Sequence, residues 1–350
     1  MKRLLIAISA IALLASCDRT IHEYPIPTKA PVIIELNVDR NPPKYYKKIE
    51  FDKKFQKTVS TMQEDYALPY DLEKDKYLLR ISVEVYDERG NTVLRRVITK
   101  PSDALAPQDT IHAKLPDGKY RVASFADYVP KDKPEDWHYK TGSLKKIDTD
   151  LSTYPENSHL RDCAAGVEDF IIDFRLTPEG YPALAKDANN VIHSRKIPVY
   201  LKRASGRYRI TATDYNSYLL AGGKADDIKV KVTYKQYASV GYNVDKQEPN
   251  KFLPSYSFIT KPDIYISKEK TQISLTIDYI LTSNSEENAV IADFIIYDRD
   301  KQVSQIMGIN IPLKRNHETV LEGYFLTKNY SKDDGIQIDE NFDGEYLIKI

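Results

Sequence analysis

Leu79-Arg80-Ile81-Ser82-Val83-Glu84-Val85-Tyr86 is the stretch that decides the fold. Its apolar and polar residues alternate with a period of two, which is the signature of a half-buried strand. Asp87-Glu88-Arg89-Gly90-Asn91 follows as a hairpin turn, with Gly90 free to take a positive φ. Thr92 to Thr99 returns as the partner strand. The same pattern recurs outward in both directions. Val32–Val38, Thr110–Leu115, Lys119–Phe125 and Phe170–Leu176 read as strands of the first half. Ile197–Lys202, Arg207–Ala212, Ile228–Tyr234, Ile273–Tyr279, Val290–Ile296, Gln302–Ile311, Thr319–Leu326 and Glu345–Ile350 read as strands of the second. No long stretch carries the 3.6-residue period of a helix. The expectation is an all-β protein of two tandem antiparallel β-sandwich domains, residues 32–190 and 191–350. Residues 40–76 and 128–160 are polar and Pro-punctuated, and are expected to be long irregular connections.

Composition agrees. The 350 residues are enough for two domains with real cores. Tyr is unusually common, 26 against 10 Phe and one Trp, which suits strands that are half buried and half wet. The 51 Lys+Arg balance the 51 Asp+Glu, so there is no basic excess to bring nucleic acid.

The first residues read as an address. Met1-Lys2-Arg3 is a basic start, and Leu4 to Ala15 is apolar but too short for a bilayer core, which needs roughly 20 residues. Leu14-Ala15-Ser16-Cys17 then looks like a bacterial lipobox. Residues 1–16 would be a lipoprotein signal peptide, cut between Ser16 and Cys17. Cys17 would carry a diacylglyceryl group on its thiol and usually a further acyl chain such as palmitate on its amine. Two or more chains make a stable anchor, at about 0.8 kcal/mol per buried CH₂. Residues 17–31, with three prolines, would be a lipidated tether. The expected location is the outer membrane, lipid-anchored and surface-exposed. The covalent lipid would be the only cofactor.

Candidate chemistry is thin. His159, Asp162, Cys163 and Glu168 are close in sequence, but no nucleophile turn surrounds them. His112, His138, His193 and His317 are scattered and form no metal-ligand pair. The acidic run 333–345 lacks the oxygen spacing of a calcium loop. There is no phosphate-binding glycine loop and no hydrolase elbow. No catalytic and no metal residues are expected, and an enzyme is not expected. Trp137-His138-Tyr139 is an aromatic loop cluster that could stack on a sugar.

Several stretches, in order, resemble the fimbrillin-like anchor lipoproteins of Bacteroidales, minor fimbrial subunits at the fimbrial base. They are the lipobox with its tether and Leu115-Pro116-Asp117-Gly118-Lys119-Tyr120-Arg121-Val122 continuing to Ala126-Asp127-Tyr128-Val129. Then come Val199–Ala204 with Arg209-Ile210-Thr211-Ala212-Thr213-Asp214, and Val230–Tyr234 with Gly241–Val244. Ile311–Asn316 leads to Thr319–Gly323, Phe325–Thr327 and the ending Ile338–Gly344. Phe125 and Ala204 stand where that family commonly has Trp and Pro. The resemblance implies two transthyretin-like sandwiches, a lipid anchor in the outer membrane, and fimbrillin-like subunits as partners. It also implies docking by β-strand addition, with Tyr346, Ile348 and Ile350 as partner-docking candidates. The rival reading is a surface lipoprotein that binds glycan for nutrient uptake, with Trp137 and Tyr139 as the stacking groups.

Overall fold

The computed structural model describes residues 29–67, 76–102, 108–153, 158–173, 183–185, 196–262, 267, 271–284 and 288–327. Among the described residues the architecture is all-β, with several sheets and one short α-helix. The first sandwich packs two layers. One holds β1 (Ala30–Val38) between β6 (Gln108–Leu115), antiparallel, and β12 (Lys196–Arg203), parallel. The other runs β5 (Thr92–Pro101), β4 (Tyr77–Asp87), β7 (Gly118–Pro130) and β10 (Ala164–Asp173), with β11 (Ala183–Ala185) beside β10. The two layers meet at a corner. Lys196–Leu201 of β12 pair with β1, and then Lys202 and Arg203 pair with Ala165 and Ala164 of β10. Gly166 allows that corner, because a Cβ there would lie 2.5 Å from the Tyr200 carbonyl oxygen. Ile34, Leu36, Val199 and Leu201 face Ile81, Val83, Val85, Val122 and Phe170 across the core. Each such side chain contributes about 1.5–3 kcal/mol on burial.

Past Ala204 alone, β12 leads into β13 (Ser205–Ala212), a strand of the second sandwich. Its first sheet is ordered β16 (Ile273–Leu281), β13, β19 (His317–Gly323), β2 (Lys44–Phe51), β3 (Lys57–Thr61). Its second holds β18 (Lys301–Leu313), β17 (Asn288–Asp298) and β14 (Ile228–Asn243). β15 (Glu248–Thr260) lies on β14, and β8 (Tyr139–Lys140) and β9 (Ile147–Thr149) extend the sheet. Tyr208, Ile210, Leu275 and Leu321 pack on Val230, Val232, Phe294, Ile296 and Ile311. A short α-helix, α1 (Tyr215–Leu220), caps the sandwich end beyond β13 and buries Tyr215 and Tyr218.

Both expected long connections carry strands instead. Residues 40–76 contain β2 and β3, and β2 enters the second sandwich by parallel pairing with β19. Within 128–160, β9 pairs with β14 at Gly241 and Tyr242. The strand pairing is antiparallel except at β1–β12, β13–β19 and β19–β2. Gly90 takes φ +80°, as the turn requires. β4 is buried on both faces rather than one, so its polar residues also need partners inside the protein.

Candidate docking edge and junction seam

The second face of β4 is covered by residues 131–150. Arg80 grips Asp127 with two hydrogen bonds, Nε to Oδ1 at 2.9 Å and Nη2 to Oδ2 at 2.7 Å. The same guanidinium donates to Asp136 at 2.8 Å and to the Tyr139 carbonyl at 2.9 Å. Burial pushes the Asp127 carboxyl up to about 6, against the pull of Arg80. Glu84 accepts from the Leu144 amide at 3.0 Å and pairs with Arg95. The covering segment therefore lands on charge and hydrogen bonds that would be costly to leave unpaired.

That segment also joins the halves. A third apolar cluster draws Tyr86, Phe125, Tyr139, Leu144, Cys163 and Ala165 from the first half and Tyr242, Val244 and Leu281 from the second. Beside it runs a buried polar seam. Arg203 grips Asp162 at 2.7 and 2.8 Å, and Arg161 pairs with Asp278 at 2.6 Å. Tyr234 donates to Asp278, and Tyr208 and Tyr234 share a 2.7 Å hydrogen bond. Arg207 and Arg209 both pair with Glu318. Burial pushes the Asp278 carboxyl up to about 6, against Arg161.

Three of the strands at sheet edges differ in how open they are. β15 contains Pro249 and Pro254, which cannot donate to an added strand. β3 has five residues, all exposed. β5 has ten, in regular register with β4 except for one shift at Val85/Tyr86, and no proline before its last residue. Leu94 and Ile98 turn toward the core, while Val93 and Val97 are exposed, 43% and 50%. Among the described residues β5 pairs only with β4. It offers a row of backbone N–H and C=O groups with alternating apolar side chains, which is what β-strand addition uses.

The sequence-predicted residues fall as follows. Ser16, Cys17, Tyr346, Ile348 and Ile350 lie outside the described residues. Tyr139 is buried, with its hydroxyl donating to the Arg161 carbonyl at 2.8 Å and its ring edge-on to Phe125. Trp137 is half-buried and tilted against Tyr77, with ring centroids 6.0 Å apart. The two rings do not form an exposed platform. His159 Nδ1 is 3.1 Å from the Tyr279 hydroxyl, and Cys163 is buried in the junction cluster. Burial, with Asp162 nearby, pushes the Cys163 thiol far up, so it is no nucleophile at neutral pH. Among the described residues no group of three or more His, Cys, Asp and Glu side chains could hold a metal. Among the same residues no helix is long and apolar enough to cross a membrane. Sequence reading missed the seam because Asp278, Arg161 and Glu318 look like ordinary outward-facing strand and loop residues. β5 was legible as a strand, the return arm of the 87–91 hairpin, but not as a sheet edge.

Comparison with known proteins gives a family and distant folds. The model of a family described as being of unknown function, DUF6562, matches residues 32–349. No curated protein matches. Among solved structures, the chain is similar to a candidate adhesin from Bacteroides thetaiotaomicron, at 12% identity and TM-score 0.40, covering 83% of this chain and 95% of that one. A candidate polysaccharide-binding protein from the same species matches at 12% identity and TM-score 0.40, over 85% and 93%. The fimbrial anchor protein of Porphyromonas gingivalis matches at 10% identity and TM-score 0.35, over 78% and 82%. Likenesses this distant transfer no function.

Proposed function

The chain belongs to the family of unknown function DUF6562, and from that premise we propose that it is a lipid-anchored surface protein that docks a fimbrial subunit. Cys17 carries the lipid and residues 17–31 lead away from the membrane. The subunit adds a strand to the free edge of β5. The observation that carries this reading is the β5 edge itself, ten residues long, without an interior proline and with Val93 and Val97 exposed. Long flat edges invite pairing and are normally blunted, as β15 is by its prolines. Main-chain hydrogen bonds from β5 supply affinity, and the alternating side chains set register. The order of sequence motifs and the Leu14–Cys17 lipobox support the same reading. Arg80, Asp127 and Tyr139 hold the scaffold behind β5 rigid, so that the edge is presented ready-made.

The test is crosslinked recovery from intact outer membranes, with partners identified by mass spectrometry. Fimbrillin-like subunits are expected with the native chain. Cys17→Ala releases the complex from the membrane fraction. Val97→Pro keeps the protein in the membrane but loses the subunit, since proline at an edge removes a donor and blocks a neighbouring strand. Subunit recovery unchanged by Val97→Pro overturns the β5 assignment. Recovery of a transporter and glycan-handling lipoproteins instead overturns the fimbrial one.

A further inference from the structure

The first 33 described residues are shared between the two sandwiches. β1 lies between β12 and β6 in the first, and β2 lies between β19 and β3 in the second. Only Asp39–Pro43 separates them. That link is pinned at the junction. The Asp39 amide donates to the Leu201 carbonyl at 2.9 Å, Arg203 donates to the Asn41 carbonyl at 3.2 Å, and the Lys44 amide donates to the Asn316 carbonyl at 3.1 Å.

Strand directions give this arrangement a mechanical meaning. β1 starts at Ala30, opposite Leu115, and runs to Val38, opposite Leu201, beside the junction. β12 is parallel to it and passes into β13 through Ala204 alone. β13 runs away from the junction, β19 is parallel to β13, and β2 is parallel to β19. Ala30 and Phe51 therefore stand at the outer ends of their sheets.

We propose that the fold is a load-bearing connector: tension between the amino-terminal tether and the far end of the second sandwich is carried in shear along β1 and β2. A pull on Ala30 draws β1 one way, while β12, continuous with the second sandwich, is drawn the other. The six β1–β12 residue pairs are loaded together rather than in sequence. What reaches Asp39–Pro43 loads β2 against β19 in the same sense. Strands loaded together must break many hydrogen bonds in one step, whereas strands peeled from an end break them singly. The direction of load rests on the anchor reading above. The strand geometry does not, and its test needs no partner, so failure of either reading leaves the other standing.

The test is single-molecule pulling on the full-length chain, with Cys17→Ser so that the buried Cys163 is the only native thiol. One version carries handles at Lys29→Cys and Leu220→Cys. Leu220 is 81% exposed at the end of α1, beyond β13. The other carries handles at Lys29→Cys and Asp117→Cys, beside the Ala30–Leu115 pair, and peels β1 from its end. All three handle sites are exposed, so neither version disturbs the core. Forced rupture reads the unfolding barrier along the pulled direction. The expected result is a rupture force at least about twofold higher in the Lys29–Leu220 geometry, and a single event there. Equal forces in the two geometries, or a low-force step that strips β1 alone in the Lys29–Leu220 geometry, overturns the proposal.

Discussion

Arg161 and Asp278 meet at 2.6 Å with both side chains almost wholly buried, one from the turn before β10 and the other from β16. They come from different sandwiches, so the pair exists only when both halves are folded and docked. Tyr234 donates to the same carboxylate and is itself tied to Tyr208. The seam thus makes the docking of the halves specific, because any other arrangement strands charge in a dry interior.

Removing one partner should be far worse than removing both. Arg161→Met is expected to destabilise the protein by about 3–5 kcal/mol, since Asp278 is left buried without its cation. Arg161→Met with Asp278→Leu should recover most of that loss. Chemical denaturation followed by the fluorescence of Trp137, the only tryptophan, reads both. Additive losses in the double variant would sink the idea that the two charges need each other.

His138 should weaken the fold in acid. It is buried, and burial together with Arg161 pushes its pKa well below the ordinary 6.5. The folded state keeps it neutral while the unfolded chain takes up a proton below about pH 6.5. The unfolded state then binds more protons, so stability falls as pH falls, by up to about 1.4 kcal/mol per unit. Asp127 and Asp278, raised to about 6, act in the opposite sense between about 6 and the ordinary carboxylate range. The clean readout is the difference between native and His138→Gln in stability measured from pH 7 to pH 5. The variant should lose less on acidification. Parallel curves would mean that His138 titrates alike in both states.

How much of this could be read beforehand follows from where the signals sit. Leu79–Tyr86 announced β4 because its core face is uniformly apolar. The burial of its other face was hidden, since Arg80 and Glu84 look solvent-bound until Asp127, Asp136 and Arg95 are brought to them. β2 was missed because Lys44–Lys48 are half-exposed and only Ile49 and Phe51 are buried apolar residues. Its parallel partner β19 lies near the other end of the described chain, and no local pattern encodes that pairing. β5 was visible as a strand. That it is an edge depends on topology.

Tyr139 should behave as a junction residue. Tyr139→Ala is expected to cost about 3–5 kcal/mol, as for a large buried aromatic. Tyr139→Phe keeps the ring and loses the hydroxyl's hydrogen bonding, chiefly to the Arg161 carbonyl, about 1 kcal/mol. Thermal unfolding ranks the two. Saccharide binding by the native chain that is abolished by Tyr139→Phe at unchanged stability would contradict the buried placement and revive the glycan reading.

Phe51 should report on the second sandwich although it precedes nearly all of the first in sequence. Its ring packs on Phe55 at 5.2 Å and on Phe325 at 5.9 Å, in the same core as Tyr208 and Leu321. Phe51→Ala should destabilise by about 3–5 kcal/mol through the cavity it leaves. The location of the effect is the sharper test. β2 is bonded to β19, and β19 to β13, so amide hydrogen exchange should accelerate across 205–212 and 317–323 as well as 44–61. Exchange in 77–87 and 118–130 should change least, because those strands close the other core. Acceleration confined to 44–61 would mean that the hairpin merely rests on the second sandwich, and β2 could then pass no load to β19.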